Sequence, residues 1–189
     1  MGGYNPGATE IWQEGLRIPP IRLGEGGELR EDLVAMLAAN TRIARDFRGD
    51  LMAMVGAARL GEARLKPLLA QHGAARMQAG VSAILDLSEA HARRLLRDWP
   101  DGSWLGEAVL DDDGFGRKNI AIRARCTKQG DRLTIDLSES DDQVTGFVNS
   151  SYPNMRSAVA MAFAFLLDPD VAKNDGAFRP LEVIAREGS

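Results

Sequence analysis

The fold class follows from residues 120–137, which read IAIRARCTKQGDRLTIDL. Apolar and polar residues alternate over residues 120–127 and again over residues 132–137, and such alternation predicts half-buried β-strands. The turn signal Gln129-Gly130-Asp131 stands between the two runs, so we expect them to pair as an antiparallel hairpin. A sheet built from hairpins indicates an α+β protein rather than a series of βαβ units.

Further strand and helix patterns lie on both sides of this hairpin. Residues 104–110 alternate roughly and end at the run Asp111-Asp112-Asp113-Gly114, which is typical of a turn between strands. After a polar loop, residues 154–167 predict an apolar helix that Asp168-Pro169 ends, and residues 180–185 predict a last strand. The expected architecture is therefore an antiparallel sheet with one packed C-terminal helix.

The centre of the chain is predicted to be helical. Residues 28–39 and residues 42–71 show apolar side chains at helical spacing, and Pro67 should kink or split the second helix. Gly73 is a suitable C-terminal cap, and a third helix is predicted over residues 74–99. We expect the two long helices to form an antiparallel helical hairpin. The residues expected to face inward on the third helix are Met77, Val81, Ile84, Leu85, Leu95 and Leu96.

These patterns divide the chain into three predicted zones. Residues 1–27 form an irregular arm rich in glycine and proline, residues 28–100 the helical hairpin region, and residues 101–189 an α+β region. We expect the last two zones to fold as one cooperative unit. The arm carries more local structure than chain ends usually do, because ends tend to fray. This indicates an interior piece of a larger protein.

Composition excludes several classes of protein. The net charge of −4 and the pI near 5.3 argue against nucleic acid as a partner, because phosphate binding needs clustered Lys and Arg. The single Cys126 excludes a disulfide framework and a multi-cysteine zinc site, and its pattern predicts a packed strand residue. The sequence contains no long apolar run and no signal-peptide pattern, so we expect no membrane partner and a cytoplasmic location.

Histidine and glycine usage narrows the possible chemistry further. The chain has only His72 and His91, one at a predicted helix end and one on a charged helix face. A Ser-His-Asp triad is therefore not expected, and this chain alone cannot supply a three-histidine metal site. Neither glycine-rich phosphate-binding motif, GxGxxG or GxxxxGK[ST], occurs in the sequence. Any nucleotide would have to be bound elsewhere.

Four charged residues are candidates for a site. Glu14 lies between Trp12 and the rigid pair Pro19-Pro20, on a segment that can hold its carboxylate on a sharp turn. Asp111 begins an acidic run that is either an oxygen-ligand site for Mg²⁺ or Ca²⁺ or simply a turn. Asp136 should point away from its apolar neighbours, towards solvent or a cleft. Arg179 either clamps a carboxylate of a ligand or pairs with an acidic neighbour.

The motifs occur in an order that resembles a known family. The segments and residues that carry the resemblance are 8–20, 40–42, 49–51, 57–61, 100–102, 110–114, 133–138, Gln143, Gly146, Asn149 and 174–180. As a set they resemble the hydantoinase B/oxoprolinase family over essentially the whole chain from about residue 6. That family includes the B subunit of ATP-dependent N-methylhydantoinase, the corresponding half of 5-oxoprolinase, and the related subunits of acetone and acetophenone carboxylases.

The resemblance implies a function for the protein to which this chain belongs. It implies ring opening of a small cyclic amide, a lactam or imide, with ATP bound by a hydantoinase A-type partner subunit or the other half of the protein. It also implies a hetero-oligomer and a divalent metal (Mn, Zn or Mg) in the full-length protein. A carboxylase of the acetone or acetophenone type is an alternative. A second is that the chain is only a subunit-contact module, and we expect the isolated chain to be catalytically inactive.

The resemblance also ranks the candidate residues. The family's motif with His and Asp lies upstream of the segment that contains Glu14, and only Met1-Gly2-Gly3-Tyr4 stands before that segment here. Glu14 is therefore the candidate for a metal or substrate contact, with the alternative that it braces the Pro-Pro turn through backbone N–H groups. The weaker candidates are Asp111, Asp136, Asn149 and Arg179, each with a structural role as the alternative.

Overall fold

The structure is a computed structural model, and it describes residues 5–188. Residues 1–4 of the predicted arm and Ser189 lie outside the described residues. The chain divides into two compact units, Met1–Ala74 and Ala75–Ser189. This boundary falls inside the predicted helical zone, and the three-zone division stays a prediction.

The first unit consists of short elements followed by one long helix. Its elements are a 3₁₀-helix at Ile11–Gln13, strands β1 (Gly24–Glu25) and β2 (Glu28–Leu29), and helices α1 (Glu31–Ala39) and α2 (Ala44–His72). The two strands pair antiparallel around Gly26 and Gly27, whose φ angles of 61° and 87° suit glycine. Because residues 28–29 belong to the hairpin, the predicted first helix begins three residues later, at Glu31.

Of the two effects predicted for Pro67, the split is wrong, because α2 continues through Pro67 to His72. The kink stays a prediction. The predicted cap is confirmed: Gly73 has a φ of 75°, and its N–H donates to the carbonyl of Leu69 at 2.8 Å. The next helix, α3 (Ala74–Asp98), follows directly. Its packing against α2 as an antiparallel pair would join the two units and stays a prediction.

The second unit contains most of α3 and a four-stranded sheet with two further helices. The remaining elements are β3 (Gly102–Asp112), β4 (Lys118–Gln129), β5 (Arg132–Asp136), α4 (Tyr152–Leu166), α5 (Asp175–Phe178) and β6 (Leu181–Ile184). The strand order in the sheet is β3-β4-β5-β6. Within residues 5–188, no helix combines the length and apolar character that crossing a membrane requires.

The α+β class and the central hairpin are confirmed. Gln129 pairs with Arg132 across the predicted turn, and Gly130 takes a φ of 60° there. The last strand differs from the prediction, because β6 pairs parallel with β5 and makes the sheet mixed. The physical reason is the connection: α4 and α5 carry the chain back across the sheet, and a crossover of this kind joins parallel strands.

The core of the second unit lies between the sheet, α4 and the C-terminal half of α3. Leu96 and Phe163 are almost fully buried, and the ring of Phe163 meets that of Phe178 edge to face at 6.5 Å. Leu95 and Leu96 therefore face inward as predicted. The same prediction is wrong for Val81 and Ile84, which are 55% and 58% exposed, because the core contacts only the last turns of α3.

Candidate functional site

Glu14 lies at the end of a compact turn in the first unit. Its backbone N–H and that of Gly15 both donate to the carbonyl of Ile11, at 3.0 and 2.9 Å. A side chain also closes the turn, but it belongs to Gln13, which accepts from the N–H of Thr9 at 2.8 Å. Within residues 5–188 no backbone N–H donates to the Glu14 carboxylate, so the turn there is held without it. The role of Glu14 as a catalytic or metal-binding residue stays a prediction.

A divalent metal can be tested against the side chains near Glu14. Protein sites for zinc use three or four side-chain ligands, and those for magnesium use carboxylates together with waters or substrate oxygens. In the part of the chain that the structure describes, no three His, Cys, Asp or Glu side chains are grouped closely enough to hold a metal ion. These residues therefore do not fit a complete metal site, and Glu14 supplies at most one ligand. The prediction of Mn, Zn or Mg applies to the full-length protein.

The acidic run covers the end of β3 and the start of the turn that follows it, and its buried member is not the predicted one. Asp111 is exposed at the end of β3, whereas Asp113 is only 6% exposed. The carboxylate of Asp113 accepts from the N–H groups of Phe115 at 2.8 Å, Arg117 at 3.0 Å and Gly146 at 3.3 Å. Burial acts to raise the pKa of Asp113, but the three N–H groups outweigh it and hold the pKa below its ordinary value.

Asp113 thereby fixes a second loop against the β3–β4 turn. Gly146 packs so closely that a Cβ there would overlap the carbonyl oxygen of Asp113. Asn149 closes the same loop, because its amide accepts from the N–H of Val144 at 2.9 Å and donates to the carbonyl of Val144 at 2.7 Å. Gly146 and Asn149 are two of the single residues on which the resemblance in the sequence rests. In the structure each of them makes a contact that holds this loop.

The acidic loop after β5 is attached to the sheet. Asp141 accepts from the N–H of Ala121 at 3.1 Å and from the guanidinium of Arg123 at 2.9 Å. These two donors, the backbone N–H first, lower the pKa of Asp141. Arg123 also pairs with Glu107 on β3 at 2.8 Å, and the hydrogen bonds to both carboxylates raise its own pKa. The polar loop after β5 is therefore anchored at Asp141.

An open cleft of about 550 Å³ lies between these two loops. Two ion pairs border it, Arg186 with Asp142 at 2.7 Å and Arg117 with Asp141 at 3.5 Å. The lining carries both signs of charge and is mostly polar, so it suits a small polar molecule. The cleft brings together Asp113 and the acidic loop. None of the four predicted site residues, Glu14, Asp111, Asp136 and Arg179, lines it.

Asp136 and Arg179 already have partners within the second unit. The carboxylate of Asp136 accepts hydrogen bonds from Ser138, including one from its backbone N–H at 2.9 Å. These hydrogen bonds lower the pKa of Asp136, and the nearby Arg125 lowers it further. Arg179 donates to Asp86 at 2.8 Å and to Glu89 at 3.0 Å, and these hydrogen bonds raise its pKa. Of the two alternatives for Arg179, the structure shows pairing with acidic neighbours. It ties the end of α5 to α3.

The same fold occurs in a solved enzyme. The crystal structure of the ATP-dependent caprolactamase from Pseudomonas jessenii superimposes with a TM-score of 0.87 and 37% sequence identity, over 98% of this chain and 34% of that chain. Among curated proteins, caprolactamase subunit beta of the same organism is 39% identical over 181 residues, which cover 96% of this chain and 31% of that protein. The acetophenone carboxylase delta subunit of Aromatoleum aromaticum is 33% identical over 153 residues, 79% of this chain and 22% of that protein.

The chain is therefore similar to subunits of caprolactamase and acetophenone carboxylase. Its family follows from a match over the whole sequence. Residues 1–189 match the family described as hydantoinase B/oxoprolinase. The chain belongs to the hydantoinase B/oxoprolinase family, which confirms the resemblance drawn from its motifs. It spans about a third or less of the length of the relatives named above.

Proposed function

We propose that this chain is part of the B-type subunit of an ATP-dependent cyclic amide hydrolase that opens a lactam or imide ring. One observation carries the proposal: the similarity to caprolactamase subunit beta extends over nearly the whole chain in sequence, at 39% identity, and the fold agrees at a TM-score of 0.87 with the solved caprolactamase. The similarity to the carboxylase subunit is lower and covers less of the chain.

The chemistry explains why a second subunit is needed. A ring amide is stabilised by resonance and is a poor electrophile. Transfer of a phosphoryl group from ATP to the amide oxygen makes the carbonyl carbon of the ring a better electrophile, so that water can attack it. The sequence lacks both glycine-rich phosphate-binding motifs, so we propose that an A-type partner subunit, or the other half of a fused protein, binds ATP. The working protein is then a hetero-oligomer or a fusion.

Within that assembly, we propose different roles for the two units of this chain. In the second unit, Asp113 and Asp141 each accept several hydrogen bonds and hold the loops beside the cleft in place. In the first unit, the Glu14 carboxylate accepts no backbone hydrogen bond from residues 5–188 and stands on a defined turn. We therefore propose Glu14 as a contact to substrate, or as one metal ligand whose companions come from other parts of the full-length protein.

The experiment uses the full-length protein with its A-type partner. We expect ATP-dependent ring opening of caprolactam, hydantoin or 5-oxoproline, measured as ring-opened product and ADP in equal amounts. Glu14→Gln should lower kcat by on the order of 10²-fold or more. Glu10→Gln is the matched control, because Glu10 is exposed, adjoins the same turn and caps the 3₁₀-helix without a side-chain hydrogen bond.

Three results would each contradict a part of the proposal. ATP-dependent formation of a carboxylated ketone from acetone or acetophenone and bicarbonate, without ring opening, would establish the carboxylase alternative, which the 33% identity to the acetophenone carboxylase subunit supports. Full activity in Glu14→Gln would remove Glu14 from the site and favour the subunit-contact alternative. The isolated 189-residue chain should show no ATP-coupled hydrolysis, and activity there would contradict the composite site.

A further inference from the structure

A second cleft, of about 440 Å³, lies where the parallel strands β5 and β6 begin. Arg132, the first residue of β5, lines it together with Arg156 and Tyr152 from the first turns of α4. Arg179 and Glu182 complete its charged lining. All of these residues belong to the second unit, and the sequence patterns single out only Arg179 among them.

Some of the charged side chains in this cleft have hydrogen-bond or ion-pair partners, and others have no ion-pair partner among the described residues. Arg179 is held by Asp86 and Glu89, and Glu182 accepts a hydrogen bond from the hydroxyl of Thr134 at 3.1 Å. Arg132 and Arg156 have no carboxylate within ion-pair distance among the described residues. Both side chains are exposed to solvent in the cleft. Two guanidinium groups are therefore available there.

Arginines without a carboxylate partner are the minority in the second unit. Seven arginines of the second unit form ion pairs with carboxylates: Arg93, Arg97, Arg117, Arg123, Arg125, Arg179 and Arg186. Four form none within residues 5–188: Arg76, Arg94, Arg132 and Arg156. Two of these four line one cleft, in a chain whose net charge is −4 and whose carboxylates are abundant.

We propose that this cleft is a binding site for a small oxyanion, a phosphate or a carboxylate group. A guanidinium offers a planar fork of N–H donors that matches both groups, and two of them on one cleft favour an anion over a neutral ligand. Tyr152, whose hydroxyl is a hydrogen-bond donor, also lines the cleft. The proposal does not rest on the proposed enzymatic function.

The test is a titration of the 189-residue chain, labelled with ¹⁵N, with inorganic phosphate in one series and succinate in the other, at constant ionic strength. We expect saturable shifts of the amide signals of Leu181, Glu182 and Val183, which line the cleft. Saturation by one series alone identifies the preferred anion, and saturation by both establishes a general oxyanion site. Linear shifts without saturation in both series would overturn the proposal.

Variants separate a built site from general charge attraction. Arg132→Gln and Arg156→Gln should each weaken binding about tenfold, the loss expected for one hydrogen-bonded charged group. Arg94→Gln is the matched control, since it removes one unpaired arginine that does not line the cleft. It should leave the dissociation constant unchanged. An equal loss in Arg94→Gln would overturn the proposal, because net charge alone would then explain the binding.

Discussion

The core of the second unit and the long helix α2 of the first unit bury their apolar residues to different extents. In the second unit, a continuous cluster around Leu96 and Phe163 is buried between sheet and helices. In the first unit, the long helix α2 buries only Leu51, and Leu60 and Leu65 are each 51% exposed. Apolar residues at helical spacing therefore predict a helix, but whether they are buried depends on a partner surface. In the second unit, the paired strands provide this surface for α3 and α4.

The largest expected effect comes from emptying the core of the second unit. Phe163 is 2% exposed, so Phe163→Ala should lower the free energy of unfolding by about 3–5 kcal/mol. The measurement is urea unfolding, with hydrogen exchange of β4 amides to assign the loss to the second unit. Leu60→Ala is the matched control on α2 and should cost far less. A loss of similar size for both would break the comparison between the units.

A smaller effect is expected where α5 approaches α3. A Cβ at Gly176 would overlap the carbonyl oxygen of Leu85, so Gly176→Ala should destabilise the protein by about 1–3 kcal/mol. Gly80 lies on the exposed part of α3 with open space around it, and Gly80→Ala should stabilise by about 0.5–1 kcal/mol. Thermal unfolding of the two variants should therefore shift Tm in opposite directions. A Tm that is unchanged or raised in Gly176→Ala would contradict the close contact.

A pH-dependent effect tests the buried carboxylate. The pKa of Asp113 is depressed in the folded protein, so its contribution to stability is present above about pH 4, the ordinary pKa, and is lost as the pH falls through the depressed value. The difference in unfolding free energy between the wild type and Asp113→Asn should be largest near neutral pH and shrink on acidification. Asp111→Asn, at an exposed position two residues away, is the matched control and should change the free energy of unfolding little at neutral pH. A difference between the wild type and Asp113→Asn that stays constant on acidification would contradict the role of the buried carboxylate.

The smallest effect is expected on the exposed face of α2. Leu65→Gln replaces a half-exposed side chain with another good helix former, so the free energy of unfolding should change by no more than about 0.5 kcal/mol. Urea unfolding checks the change, and sedimentation velocity before and after the substitution checks the state of association. A loss of several kcal/mol would show that another surface covers this face in solution.

Local patterns in the sequence predicted the elements well, because their causes are local. The hairpin at Gly130 follows from alternation and a turn signal, and the end of α2 follows from Gly73. The parallel pairing of β6 could not be predicted from its own residues, since the path through α4 and α5 determines it. The exposure of Val81 and Ile84 has the same origin, because their spacing does not show where the core ends.

The candidate site was less predictable than the fold. Three successive aspartates look alike in sequence, and only the approach of Gly146 distinguishes Asp113 from Asp111. The sequence around Arg179 is compatible with a clamp on a ligand or with a structural ion pair, because its two partners lie on α3, far away in the sequence. Gly146 and Asn149 are the residues in the sequence that indicate the contact with Asp113. The contact itself forms only when the loop after β5 is folded.

The parallel pairing of β5 and β6 has a consequence for the order of folding. Gln129 meets Arg132 across a two-residue turn, whereas Leu133 meets Leu181 only after α4 and α5 have been placed. Short hairpins close within microseconds, and distant pairings cost more chain entropy and form more slowly. We therefore expect β4 and β5 to form the nucleus, with β6 docking late and bringing Arg179 to its partners on α3. The cleft beside Arg132 would then be among the last features of the unit to form.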